Sequence, residues 1–359
     1  MAEKIYFLVP YPEGSAPSQR FRFEQYFDHL RNQGYELGVY PFYDYDTWQT
    51  LYKEKKYLLK AMKVTYCFLK RFGLLFKLHK ADHLFIHREV AHIGPPVFEW
   101  IIAKVLRRKY TYDFDDAIWL PNYSETNSRF HWVKAYWKVN YCMKWAHTIS
   151  AGNEYLASYA RQFNKNVRII PTTIDTTHHH NTAVDHHTQP AIIGWTGSHT
   201  TMRYLDELIP VLKKLEERHN FQFVVISNED PGYDLRSLRY VKWQKDSEID
   251  DLSKIQIGVM PLQHDIWSEG KCGFKGLQYM SLGMATLMSP VGVNTEIIEH
   301  GKNGYLVSSA GEWEEKLELL LTDAALREQL GHNGRETIRK RYSVEANKNN
   351  YDQLFHAEK

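Results

Sequence analysis

The stretch Ser268–Val307, SEGKCGFKGLQYMSLGMATLMSPVGVNTEIIEHGKNGYLV, decides the fold. It reads as loop, helix, buried strand, glycine-containing turn, short helix and strand, the alternation of a parallel α/β sheet. The helix is expected to open at about Gly273, after a turn rich in lysine and glycine. Backbone N–H groups at a helix start can hold a phosphate, and Lys271 and Lys275 add charge beside it. Gln278 lies more than one turn further in, placed to reach the ribose end of a nucleotide through an amide that both donates and accepts. Ser289-Pro290-Val291-Gly292 forms a second tight turn after the strand. The segment thus offers phosphate, ribose and sugar contacts together. Taken alone it also fits an ordinary αβ unit with a glycine turn.

The same alternation extends in both directions. Strands are expected at residues 4–9, 36–40, 83–87, 109–114, 148–151 and 167–170, with a helix over Arg20–Gln33. A second series begins at Ala191–Trp195. It continues through a helix from the Gly194–Ser198 turn to Leu215, and through strands at 222–226, 238–241 and 257–260. Residues 312–321 and 323–341 read as helices, and Ser343 caps a last helix to Phe355. Between the two series, residues 176–190 are polar and histidine-rich (His178, His179, His180, His186, His187) and read as a linker. The expected organisation is α/β: an N-terminal Rossmann-like domain over 1–175, the linker, a second Rossmann-like domain over 191–342, and residues 343–359 as a helix crossing back to the first domain. No G-x-G-x-x-G follows the first strand, which argues against a nicotinamide enzyme.

Composition narrows the function classes. A chain of 359 residues that is 43% hydrophobic can build two cores. A net charge of +2 gives no global field of the kind that marks a nucleic-acid binder. The three cysteines, Cys67, Cys142 and Cys272, are far apart and form no zinc pattern, which suits a reducing compartment. The apolar run Ile5–Val9 ends at Pro10, too short for a signal peptide, and no run reaches a membrane span. A cytoplasmic protein is expected. The 14% aromatic content fits carbohydrate chemistry and equally an aromatic-rich core.

Ligands of open parallel sheets bind beyond the carboxyl ends of the strands. Arg88, Glu89, Asp115 and Asp116 fall on that rim. Asp113-Phe114-Asp115-Asp116 gathers three carboxylates, costly unless paired or used. The plain alternative has Asp116 capping a turn and Asp113 pairing with Lys109.

On these residues the chain resembles the retaining glycosyltransferases of family 4, which have the two-domain B-type fold with two Rossmann-like domains facing a cleft. The resemblance implies an acceptor on the N-terminal side, a nucleotide diphosphate sugar as donor on the C-terminal side, no cofactor and no catalytic metal. The family's pair of glutamates falls on Gly270, with Glu269 beside it, and on Gln278. Where the family often carries Arg and Lys for the pyrophosphate, this chain has Trp195 and a Thr-rich turn. Gly197, Ser198 and Thr200 are then the expected phosphate contacts, with Lys271, Gly273, Lys275 and Gly292 completing the donor set. The plain reading of Ser198 is a helix N-cap. Asp115 and Asp116 stand where the family carries a His-Asp pair near the reacting sugar. Ser15, Arg20 and Arg22 resemble the acceptor-side loop, with Arg88 on the same rim. The function implied is transfer of a sugar to an acceptor hydroxyl, on a glycan or a lipid-linked acceptor, in surface-polysaccharide assembly. A nucleotide-sugar epimerase on this fold and a non-catalytic sugar-binding descendant are the alternatives.

Residues 51–80 hold nine Lys/Arg and one acidic residue, Glu54. Lys56, Lys60, Lys63, Lys70 and Lys77 recur on one helical face, and Leu58, Met62, Thr65, Leu69, Phe72 and Phe76 on another. The plain expectation is that the apolar stripe packs on the N-terminal sheet. The sharper one is a peripheral contact with the inner face of a membrane.

Overall fold

A computed structural model describes residues 2–51, 56–121 and 133–356. The chain divides into two compact units, Met1–Thr172 together with Lys348–Lys359, and Thr173–Asn347.

The first unit is built on a six-stranded parallel sheet. Its strands are β1 (Lys4–Val9), β2 (Glu36–Pro41), β3 (His83–His87), β4 (Thr111–Phe114), β5 (Thr148–Ala151) and β6 (Val167–Ile169). Their spatial order is β2-β1-β3-β4-β5-β6, so strand order reverses between β1 and β3. β1 and β3 are buried from end to end but for Lys4, as central strands covered on both faces must be.

The helix expected over Arg20–Gln33 is broken. A helix over Pro17–Arg20 is followed by a 3₁₀ turn at Glu24–Tyr26 and a helix over Phe27–Asn32. Phe21, Arg22 and Phe23 are all buried. One amphipathic helix cannot turn three successive side chains to a core, so the chain bends to admit them.

The second unit has its own six-stranded parallel sheet: β7 (Ala191–Thr196), β8 (Phe221–Ser227), β9 (Leu238–Lys242), β10 (Ile257–Met260), β11 (Ala285–Met288) and β12 (Tyr305–Leu306). The order β12-β11-β10-β7-β8-β9 is that of a doubly wound nucleotide-binding sheet, reversing between β7 and β10. Gly258 lets the Tyr279 ring lie directly on β10: a Cβ there would fall 2.6 Å from that ring. The helix expected from the β7 turn to Leu215 is three pieces, His199–Met202, a 3₁₀ turn at Arg203–Leu205 and Ile209–Leu215. Pro210, which cannot continue a helix from its N-terminal side, restarts the last piece. Helices at Ala310–Thr322, Ala324–Thr337 and Val344–His356 complete the unit, the last continuing into the first. Ser343 Oγ accepts from Ala346 N at 3.1 Å, as its expected capping role requires.

Residues 176–190 are not a free connector. His180 and His186 are buried, His186 Nε2 meets Gly283 O at 2.9 Å, and Arg327 donates to His186 O at 2.5 Å. Local polarity suggested a linker, but these side chains pair with groups about a hundred residues further along the chain.

The stripe expected to pack on the first sheet faces outward instead. A helix spans Tyr57–Leu75, with a 3₁₀ turn at Leu78–Lys80. Its inward seam is Cys67, Arg71 and Leu74, continued by Leu78. Leu58, Met62, Leu69, Phe72 and Phe76 are exposed. Arg71 explains the choice of face. Its guanidinium donates to the carbonyls of Val9 (2.8 Å), Tyr40 (2.7 Å) and Val90 (2.8 Å), tying the helix to the ends of β1 and β2 and to the segment after β3. Lys53, Glu54 and Lys55 lie outside the described residues.

Candidate functional site

The second unit gathers its expected donor residues at the carboxyl ends of β7, β10 and β11, beside the reversal of strand order. Gly197 follows β7 and sits against the Trp195 ring and the Lys275 side chain. A Cβ at Gly197 would lie 2.5 Å from the ring and 2.8 Å from Lys275 Cε. Lys275 Nζ rides 5.1 Å from the Trp195 ring centre, a cation–π approach. The glycine turn and this lysine are therefore adjacent although 78 positions separate them in sequence.

Lys275 belongs to the helix Phe274–Ser281, and Gly273 occupies its N-cap position with φ +68°. A side chain at Gly273 would strike Ile297 Cδ1 at 2.3 Å. Gly292, with φ +53°, brings the second tight turn against the first, since a Cβ there would lie 2.6 Å from Glu269 O. Both glycines are required by left-handed backbone and close approach together. Ser289 ties the Gly292 turn to the segment just after β10, its Oγ accepting from Leu262 N at 2.9 Å. The helix N-terminus adds the positive end of its dipole to Lys275.

The remaining donor candidates divide. Ser198 and Thr200 are exposed, with their hydroxyls 3.0 Å apart. Ser198 occupies the N-cap position of His199–Met202 but makes no side-chain cap bond. Glu269 ends a short helix, Ile266–Glu269, and pairs with His264 at 3.0 Å. Gly270 is buried as that helix's C-cap. Lys271 is half-buried, with its Nζ 5.8 Å from the Trp267 ring centre. Gln278 faces inward: it is 1% exposed, and its Nε2 lies 3.4 Å from the buried His180 Nε2. The helix turns this face to the body of the unit, so the expected outward reach of Gln278 toward a ribose is not the geometry present.

Two supporting residues escaped the reading of the sequence. Tyr279 Oη accepts from Thr196 N at 2.9 Å and fixes the end of β7. Burial pushes its phenol well above the usual range, keeping it neutral. Asn228 Oδ1 accepts from His199 N at 2.9 Å and holds the turn after Ser198. The signal for Tyr279 was Gly258, a small residue mid-strand, which marks a close approach by another group.

The first unit sorts its three aspartates by partner. Asp113 is fully buried. It accepts from Arg22 Nη2, His87 Nδ1 (2.8 Å) and Ser150 Oγ (2.7 Å). Burial pushes this carboxyl up, but the Arg22 charge and the His87 and Arg22 hydrogen bonds outweigh it and hold it well below the usual carboxylate range. Lys109 is not among its recorded partners. Arg22 also donates to Ile170 O, and Tyr351 Oη donates to Arg22 O. Arg22 is thus a buried hub joining β4 and β5, the segment after β6 and the last helix. With no exposed surface, it is not available to touch an acceptor.

Asp115 and Asp116 share one partner, Arg88. Its Nη2 lies 2.6 Å from Asp115 Oδ1 and 2.7 Å from Asp116 Oδ2, and its Nε donates to Asp115 Oδ1 at 2.9 Å. Arg88 holds φ +59°, unusual for a residue with a side chain, and is fixed there by Tyr112 Oη donating to its carbonyl at 2.5 Å. Backbone strain of this kind collects at functional sites. The desolvation that would lower its guanidinium pKa is outweighed by the two carboxylates, which raise it. Ser15 is half-buried in a loop pinned by Glu24, whose Oε2 accepts from Gly14 N at 2.9 Å, and Arg20 is half-buried at the end of the helix that follows. Among the described residues no three of His, Cys, Asp or Glu converge on a metal-sized site, the histidines of 178–187 included.

Residues 180–337, nearly all of the second unit, match the family model described as glycosyl transferases group 1. No curated protein matches the chain in sequence. Among solved structures, a sucrose-phosphate synthase from Thermosynechococcus elongatus superposes with a TM-score of 0.73 at 14% identity, covering 99% of this chain and 98% of that one. The HepE protein of Anabaena in complex with UDP-glucose gives 0.67 at 14%, covering 99% of each. A glycosyltransferase from Rickettsia africae gives 0.67 at 10%, covering 99% of this chain and 98% of that one. These likenesses run the length of the chain and establish its fold as the two-domain B-type fold of those proteins.

Proposed function

We propose that this chain is a glycosyltransferase that moves a sugar from a nucleotide diphosphate sugar to an acceptor hydroxyl, with retention at the anomeric carbon, as in family 4. The observation that carries the reading is the meeting of Gly197, Lys275 and the Gly273 and Gly292 turns at the strand-order reversal of the second sheet. Negative charge develops on the leaving diphosphate as the glycosyl bond breaks. Lys275, Lys271, the helix N-terminus and the Ser198 and Thr200 hydroxyls are the groups that meet it, without a metal ion. Glu269 and Gly292 contribute where the sugar sits. Gln278, buried against His180, fixes the helix that presents Lys275.

On the acceptor side, Arg88 orients Asp115 and Asp116, with Ser15 in the loop after β1 and Arg20 in the helix that follows it. The acceptor hydroxyl attacks on the face the diphosphate leaves, and the departing phosphate oxygen takes its proton. The acceptor is a glycan or lipid-linked sugar of surface-polysaccharide assembly. The protein works in the cytoplasm, with residues 51–80 touching the inner face of the membrane.

The test is turnover of a panel of nucleotide diphosphate sugars, UDP-glucose first, with the product anomer read by NMR. Release of nucleotide diphosphate that requires an acceptor supports the reading. Epimerisation of donor alone, or binding without turnover, would replace it. Asp115→Asn removes the charge opposite Arg88 and is expected to lower turnover at least about tenfold, or about 1.4 kcal/mol of barrier. The melting temperature stays close to wild type, because Asp115 is at the rim and outside the buried hub. A folded Asp115→Asn protein with full activity counts against its role.

A further inference from the structure

We infer that the membrane contact of this protein is a three-helix face of the first unit, formed by Tyr57–Leu75, by Val97–Trp100 with its π-helical extension to Val105, and by Lys138–Trp145, and that it seats on an anionic bilayer surface. The inference rests on the membrane contact proposed above and widens it to two elements beyond residues 51–80.

The three helices lie in one layer. They occupy the connections β2 to β3, β3 to β4 and β4 to β5, which all advance across the sheet in the same direction. Right-handed crossovers then put them on the same face. They touch in series. Phe98 packs against Phe72, ring centres 4.8 Å apart, and the Val97–Trp100 helix packs against Lys138–Trp145.

The outward side of this layer is apolar where a soluble surface is usually polar. On the first helix and its extension Phe76 is 82% exposed, Leu58 77%, and Met62 and Leu69 63% each. The second element exposes Val97, Trp100, Val105 and Leu106. The third exposes Trp137 and Tyr141, which form an edge-to-face pair with ring centres 5.6 Å apart, and Trp145 extends the row. Apolar exposure on this scale marks an interaction surface. Tryptophan and tyrosine at its margin are the residues that settle at the headgroup level of a bilayer.

Charge identifies the occupant. Residues 56–81 contain seven Lys/Arg and no Asp or Glu. Residues 133–147 contain three lysines and no acid, though Lys138 is buried and paired with Glu89, and residues 97–109 contain four Lys/Arg with one acid, Glu99, which is buried. On a chain whose net charge is only +2, the basic excess is concentrated on this layer. Lys63 and Lys70 are paired with Asp46 and Asp44, and Lys60 donates to Leu51 O, so these three serve the fold. Lys77, Lys104 and Lys144 are exposed, one for each element, and are the charges presented to lipid headgroups. A second copy of the same basic face would repel this one, which favours an anionic surface over self-association.

The experiment uses the whole protein and vesicles of phosphatidylcholine with or without phosphatidylglycerol. Sedimentation is expected only with the anionic vesicles, fading at high salt. Lys77→Glu/Lys104→Glu/Lys144→Glu is expected to weaken partitioning at least about a hundredfold. Bromine-labelled lipid should quench tryptophan emission, and Trp100→Phe/Trp137→Phe should abolish most of that quenching while leaving sedimentation intact. Unchanged quenching in that variant overturns the three-helix face. Absence of binding to anionic vesicles, or a dimer in solution lost on Leu69→Ser, overturns the membrane assignment altogether. Donor-dependent thermal stabilisation, measured without vesicles, reports separately on the glycosyltransferase reading.

Discussion

Arg22→Ala is expected to destabilise the first unit by about 3–5 kcal/mol, the cost of stripping one partner from a buried ion pair. The loss is large because it strands more than one group. Asp113 would keep its charge in a site with no solvent, and Ile170 O and Ser150 Oγ would each lose a donor. Replacing both partners by apolar residues, as in Arg22→Met/Asp113→Leu, should cost distinctly less, since no uncompensated charge remains. The effect carries a pH signature. The folded-state pKa of Asp113 is depressed, so its contribution is fully present above the unfolded carboxylate value of about 3.9 and is lost as pH falls below it. The gap between wild type and Arg22→Ala in urea denaturation should therefore narrow in acid. A gap that is small at neutral pH would show that Arg22 is not the hub described.

Lys275→Ala is expected to lower kcat by about 10²–10³-fold, or about 2.7–4 kcal/mol, the range for removing one preorganised group that faces developing negative charge. Lys275 is the cation packed against the Gly197 turn, so its loss leaves the diphosphate facing Lys271, the helix N-terminus and the hydroxyls. Its aliphatic stem lies against Gly197 and its Nζ over the Trp195 ring. Lys275→Met keeps that stem and separates charge from packing: it should melt like wild type and still lose activity. Steady-state kinetics with saturating donor would decide, and a Lys275→Met protein with undiminished kcat contradicts the role.

Much of this architecture was legible because parallel sheets announce their strands and turns locally. The Ser268–Val307 run placed a helix, β11, the Gly292 turn and β12 in the right order, and the rim position of Asp115 and Asp116 followed from where β4 ends. What could not be read depended on partners distant in sequence. Arg22 looked like a surface arginine beside a loop, and only Asp113, 91 positions on, makes it a buried one. Arg71 sat among lysines on a basic helix, yet its three carbonyl partners turn its own seam inward and the apolar stripe outward. The histidines of 178–187 looked like linker until His180 met Gln278 and His186 met Gly283. In each case a polar side chain, satisfied at long range, overrode the pattern that hydrophobic periodicity alone prescribes.

The central claim is that the Gly197–Lys275 region of the second unit binds a nucleotide diphosphate. Its most direct measurement is the thermal stability of the whole chain, titrated with nucleoside diphosphates and their sugars, for wild type beside Lys275→Met. Ligand that binds the native state stabilises it by about 2.7 kcal/mol at a hundredfold excess over Kd. The account predicts a concentration-dependent rise in melting temperature with at least one nucleotide in wild type, much reduced in Lys275→Met, with the corresponding nucleoside giving little in either. No rise with any nucleotide diphosphate, or an equal rise in both proteins, would contradict it.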